Sequence, residues 1–128
     1  MKLAHSLAIA ALALFLSGCE TQPTAPSVME IAERPGEKAL LAGIRAYEDA
    51  HYPESAKHLH QALQFGLAAP RDRATAYKHL AFIHCSTRKN LECEAAFKSA
   101  RQADPAFALS KSEAGHPLWG PVYQRLRP

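Results

Sequence analysis

The sequence predicts an all-α fold: two helix-turn-helix hairpins, packed side by side, with a further helix closing the C-terminal end. Three observations predict it. Residues fall at helical spacing in four runs, Leu40, Leu41, Ile44 and Tyr47, then Leu59, Ala62 and Leu63, then Tyr77, Leu80, Ala81 and His84, then Ala96, Phe97 and Ala100. No window alternates apolar and polar residues as a half-buried strand does. Breakers stand between the runs: HYPES at 51–55, FGLAAPRD at 65–72, STRKN at 86–90, and Asp104 with Pro105.

The first element lies outside that fold. MKLAHS carries one cation, Lys2, and precedes the apolar run LAIAALALFL from Leu7 to Leu16. A permanent transmembrane helix needs about 20 apolar residues, so this run is too short. Its length and flanks match the charged and apolar regions of a secretory signal peptide, assigned to residues 1–18. The segment Leu16-Ser17-Gly18-Cys19 then resembles the lipobox of bacterial lipoproteins, two small residues before a cysteine that becomes the acylated first residue. The resemblance implies a covalent lipid on Cys19 as the membrane attachment, with no other cofactor. Several acyl chains at about 0.8 kcal/mol per buried methylene make a stable anchor where one would be marginal. Glu20 follows the cysteine in place of the aspartate that retains such proteins at the inner membrane. The implied location is the outer membrane, facing the periplasm. An ordinary secretory signal followed by a chance cysteine is the alternative.

Residues 19–36 read as the lipidated cysteine and a flexible tether, because Pro23, Pro26 and Pro35 interrupt a stretch of little periodicity. At about 3.3–3.6 Å per residue the stretch reaches roughly 55–60 Å, enough to hold the following domain clear of lipid. Val28, Met29 and Ile31 are its apolar cluster. The helical domain is assigned to residues 37–128.

The two hairpins look like copies. Gly43 corresponds to Ala81 and Ala62 to Ala100, each pair 38 positions apart. In ATAYKHLAFIHCSTRKNLECEAAFKSARQADP, at 74–105, Tyr77, the pair Leu80 and Ala81, Cys93, Phe97, Ala100 and the closing Pro105 resemble the pattern of a tetratricopeptide repeat. The first unit matches at Gly43, Tyr52, Ser55, Leu59 and Ala62, but has Ala39 where an aromatic is expected and no proline in closing register. The usual repeat is about 34 residues. The excess falls in FGLAAPRD, which bears on the angle between the hairpins. Small residues at Gly43, Ser55, Ala81 and Cys93 are expected where paired helices cross closely. The resemblance implies a short α-solenoid whose inner face binds a segment of another protein. In the repeat's phase that face carries Leu40, Ile44, Tyr47 and Glu48 on the first helix and Thr75, Lys78 and Phe82 on the third. Such a face is too apolar to stay bare, and fold-back of Val28, Met29 and Ile31 would make the tether its lid.

With Cys19 committed to lipid, Cys85 and Cys93 are the remaining thiols of a chain in an oxidising compartment, where pairing is the expected state. A loop this short stabilises by roughly 2.5 kcal/mol in the chain-entropy account. Zinc bound by His84, Cys85 and Cys93 is the chief rival, but neither the spacing nor a fourth ligand matches a finger. A redox-active pair lacks the tight CxxC spacing. Cysteine-rich helical-repeat proteins are similar in bridging paired helices at this spacing.

Two hairpins are fewer than a repeat array needs to bury a continuous core, so the last segment must close one end. Ser110 and Glu113 read as a capping box, Gly115 and Pro117 as a stop and restart, and Trp119, Val122, Tyr123 and Leu126 as an apolar stripe. A partner-binding tail around Trp119 is the other reading. This ending also resembles that of repeat-containing envelope lipoproteins, including small accessory proteins encoded beside type VI secretion machinery.

Chemistry is sparse. His58 and His60 point apart on a helix, and His51 with His58 would give two ligands, too few for a metal site. No GxSxG, HExxH or phosphate-binding glycine loop is present. The formal charge of +3 is scattered, without interleaved aromatics, so nucleic acid is not an expected partner. The sequence therefore points to a lipid-anchored, non-enzymatic adaptor that binds another envelope protein or peptide segment, with no metal and no small-molecule substrate. A self-associating structural lipoprotein is the alternative, and a small peptidoglycan-acting enzyme turning on Glu113 a more distant one.

Overall fold

The computed structural model describes residues 25–127, and all regular structure among them is helical. The order is α1 (Val28–Ala32), α2 (Pro35–Glu48), α3 (Tyr52–Phe65), α4 (Pro70–Ser86), α5 (Asn90–Ala103), α6 (Lys111–Ala114) and α7 (Gly120–Arg125). The expected signal peptide, residues 1–18, and Cys19 lie outside the described residues.

Helices α2 and α3 pack as one antiparallel pair and α4 and α5 as a second, with α3 lying against α4 between them. The pairing follows from the small residues. A Cβ on Gly43 would sit 2.9 Å from Cγ and Cδ2 of Leu59, so only glycine lets the two helices approach there. Ser55 faces the same crossing, fully buried, and its hydroxyl donates to the Gly43 carbonyl at 2.8 Å. Ala81 and Cys93 hold the equivalent places in the second pair and are fully buried.

The hairpin turns repeat as well. Ala50 and Arg88, 38 positions apart, both take φ of 60°. In each turn the next amide reaches back five residues, His51 N–H to the Ala46 carbonyl at 2.8 Å and Lys89 N–H to the His84 carbonyl at 2.9 Å. This is the left-handed cap that ends many helices, here without its usual glycine. Neither HYPES nor STRKN signals it in a residue type.

FGLAAPRD forms an ordered corner. Leu67 is buried, Gly66 takes φ of 87°, and Arg73 donates to the carbonyls of Leu67 at 2.8 Å and Ala68 at 3.1 Å. A Cβ on Gly36 would collide with the Gly66 carbonyl, which places the start of α2 directly on the end of α3.

One expectation needs correction. The tether contains a helix, α1, because Ser27 caps it by accepting from the Glu30 amide at 3.2 Å, and α2 starts at Pro35, ahead of the expected boundary at Glu37. Helix α7 is short, Gly120–Arg125, with Trp119 as its N-cap residue, and Trp119, Val122 and Tyr123 turn into the core with Leu126 packed against it. The capping box at α6 forms as read, Ser110 Oγ accepting from the Glu113 amide and Glu113 Oε2 from the Ser110 amide. Gly120 permits α6 and α7 to fold on each other, since a Cβ there would lie 2.5 Å from the Ala114 carbonyl oxygen.

Candidate functional site

The sequence places a groove on α2 and α4, and in the structure Tyr47 of α2 meets His79 and Phe82 of α4. Tyr47 is its hub. Its ring lies 5.5 Å from Tyr52, 5.2 Å from His79 and 6.2 Å from Phe82. Thr75 and Lys78 stand on the same helix as Phe82, and the Lys78 ammonium lies 5.7 Å from that ring's centroid.

The face is not empty. Trp119 stacks on Phe82 with ring centroids 4.2 Å apart, and His116 stacks on Trp119 at 3.4 Å. The indole Nε1–H donates to the Glu113 carbonyl at 2.9 Å, which fixes the ring's orientation. Lys78 Nζ pairs with Glu113 Oε1 at 2.7 Å, with both side chains largely shielded from solvent. Farther along, Tyr123 lies 5.4 Å from Phe97 of α5 and its hydroxyl accepts from the Leu109 amide at 3.1 Å. The occupant of the groove is therefore the C-terminal segment. The tether is not: Val28 and Met29 are exposed to solvent.

This divides the predicted groove residues. Leu40 and Phe82 are buried core and form its floor. Ile44, Tyr47, Thr75 and Lys78 are half-buried at its walls, and Glu48 is exposed at its rim. The reason is volume. Phe82 faces a space between the hairpins that Phe97, Trp119 and Tyr123 fill, and a ring in such a place joins the core. Beside the cover an open cleft of about 530 Å³ remains, lined by Arg71, Thr75, Lys78, Phe107, Ser110 and Glu113 among others. Asp104 is among its lining residues. The Lys78–Glu113 pairing joins positions 35 apart, and no sequence signal links them.

Burial tunes three groups here. It raises the Tyr47 hydroxyl, with help from Tyr52 and the Glu113 charge. It lowers the His79 imidazole, against the Thr75 carbonyl that its ring nitrogen meets at 2.8 Å. Burial would raise Glu113 too, but the hydrogen bonds to Lys78 and Ser110 outweigh it and hold the carboxyl below its ordinary range. Glu113 is thus an ionised, positioned carboxylate.

Cys85 and Cys93 are bonded to each other, their Cα atoms 5.2 Å apart, joining the end of α4 to the first turn of α5. His84 is half-buried beside them, its pKa lowered by burial and by Lys89 and His60 against Glu92. Among the described residues no three His, Cys, Asp or Glu side chains are placed to hold a metal ion, and no helix is long and apolar enough to cross a membrane. A second cleft, about 440 Å³ and mainly apolar, opens beside the disulfide between Tyr52, Pro53 and Ala56 of α3 and Ile83, His84, Thr87 and Lys89. Sequence reasoning missed it, because its two walls come from different hairpins. Comparison with family models, with curated proteins and with solved structures finds no match for this chain.

Proposed function

We propose that the chain is a lipid-anchored adaptor of the bacterial envelope. Its two hairpins form a short tetratricopeptide-like array closed by the C-terminal segment, and the inner face binds a segment of another envelope protein. One observation carries the reading: the face already holds a peptide segment, and so displays what it accepts. An aromatic ring lies on Phe82 and a carboxylate pairs with Lys78. A partner with the same two features would extend along the walls still open, where Ile44, Tyr47, Glu48 and Thr75 stand, in the manner of a peptide in a helical groove. Leu40 and Phe82 support that surface from beneath.

Outer-membrane attachment through Cys19, facing the periplasm, rests on the lipobox resemblance, and a place beside type VI secretion machinery on the likeness of the C-terminal ending.

The test is a photo-crosslinking residue in place of Glu48 in living cells, with the exposed Lys57 as control. The proposal expects one adduct of defined mass at position 48, absent at 57 and lost with Tyr47→Ala. An adduct of twice the chain's own mass, with dimers in light scattering, would instead establish the self-associating alternative. In parallel, Cys19→Ala should abolish acyl labelling and leave the chain in the soluble fraction. Unchanged labelling would remove the anchor from the account.

A further inference from the structure

We infer that the end of the domain formed by α1 and the α3–α4 corner rests on the phospholipid surface, resting in turn on the reading of Cys19 as the anchor. Val28, Met29 and Phe65 are 83%, 74% and 63% exposed, the first two on α1 and the third on the last turn of α3. They belong to one end of the first hairpin. Helix α1 runs into α2 through Glu33 and Arg34, and Gly36 at the start of α2 sits on Gly66, the residue after Phe65. Apolar side chains left this bare at one end of a small domain mark a surface that meets something else.

What it meets follows from the chain that leads into it. Val28 comes nine positions after Cys19, and nine residues at full extension cover at most about 32 Å. An anchor so close holds this end within reach of lipid at all times. Joining two contacts through a short tether makes the second one intramolecular, with an effective concentration in the millimolar range, so an apolar contact too weak to bind alone becomes populated. Charges at this end balance. Arg34, Lys38, Arg71 and Arg73 stand against Glu30, Glu33, Glu37 and Asp72, with Lys38 and Glu33 3.9 Å apart. The contact is therefore driven by burial of apolar side chains at the lipid interface, and it should persist in high salt. The domain then lies on the membrane with α1 beneath it. The opposite end, where the disulfide and the cleft between Tyr52 and His84 lie, points into the periplasm.

The experiment uses the full chain, matured in cells, in vesicles of phosphatidylethanolamine and phosphatidylglycerol. Intact mass first reads the acyl chains on Cys19. Amide exchange, corrected for intrinsic rates, is then compared with that of a Val28→Ser, Met29→Ser, Phe65→Ser variant; all three positions are exposed, so the fold is not at stake. The inference expects exchange over residues 27–34 and 64–68 to be about tenfold slower in the unaltered chain, at low and high salt alike. Equal exchange in the two chains would overturn it, as would protection that depends on protein concentration and appears without vesicles, which would make a second copy the occupant. If the mass shows no acyl chains, the anchor reading fails separately. Coupling that chain through the Cys19 thiol to a maleimide lipid in the same vesicles then decides, because it restores the short tether: slower exchange over residues 27–34 and 64–68 that the three serines abolish keeps the surface, and equal exchange in the two coupled chains removes it.

Discussion

Replacing Trp119 by alanine tests whether the C-terminal segment is part of the fold or a removable cover. The indole is buried, stacked between Phe82 at 4.2 Å and His116 at 3.4 Å, and tied to the Glu113 carbonyl at 2.9 Å. Truncating a buried aromatic of this kind costs roughly 3–5 kcal/mol, of which about 0.5–1.5 comes from the stacking itself. A domain of this size has about 5–15 kcal/mol in total, so a large share of it depends on one ring. At roughly 4–8 °C per kcal/mol, Tm should fall by about 12 °C or more. Thermal unfolding of the disulfide-intact chain, followed by far-ultraviolet circular dichroism, reads this directly. A cycle with Phe82→Leu should return a coupling of about 0.5–1.5 kcal/mol, because each substitution removes the same stack. A Tm within about 3 °C of the unaltered chain would refute the reasoning. The segment would then be a loosely held cover, and the groove beneath it open much of the time.

Three other outcomes are expected. Cys85→Ala with Cys93→Ala should still fold but lose about 2.5 kcal/mol in denaturant titration, while thiol counting on the unaltered chain, denatured without reductant, should find neither cysteine free. Ala50→Gly should stabilise by about 0.5–1 kcal/mol, because a residue with a Cβ is held there at φ of 60°; an unchanged midpoint would contradict the strained turn. His79, lowered mainly by burial from its ordinary 6.5 with the Thr75 carbonyl, Lys78, Glu113 and Glu48 around it, takes up its proton more readily in the unfolded chain. Its contribution is therefore complete above pH 6.5 and is lost as pH falls through the folded value. Stability measured against pH should decline in that window, and less so in His79→Leu.

Helical periodicity was enough to find four of the helices, because each pairs through an apolar stripe and a small residue that the sequence displays. Gly43 with Ser55 and Ala81 with Cys93 are legible for that reason. What the sequence hid were contacts made at a distance. Nothing in residues 104–119 announces that Glu113 will reach Lys78 or that Trp119 will lie on Phe82, since such pairings depend on where a seven-residue link lays the chain. Helix α1 was legible in principle, as Ser27 and Glu30 stand at capping distance, but the flanking prolines spoke for a tether. The two left-handed turns at Ala50 and Arg88 were not legible at all, because their residue types argue against the conformation they adopt.

The same physics explains why so little of the inner face is left for a partner. Two hairpins expose an apolar end that a longer array would cover with a third, and this chain supplies Trp119, Val122 and Tyr123 in its place. Those side chains cross from α5 to α4, so the closing segment spends itself on the second hairpin and stops short of the first. Tyr47, half-buried, marks where the cover ends. On the adaptor reading proposed above, a binding partner would meet the chain at that edge, and its affinity would depend on how firmly Trp119 holds the wall beside it: a segment that competes with the cover would bind in proportion to the fraction of time the cover is open, whereas one that adds to its edge would gain a preformed surface. Tighter partner binding by Trp119→Ala would indicate the first, and weaker binding the second.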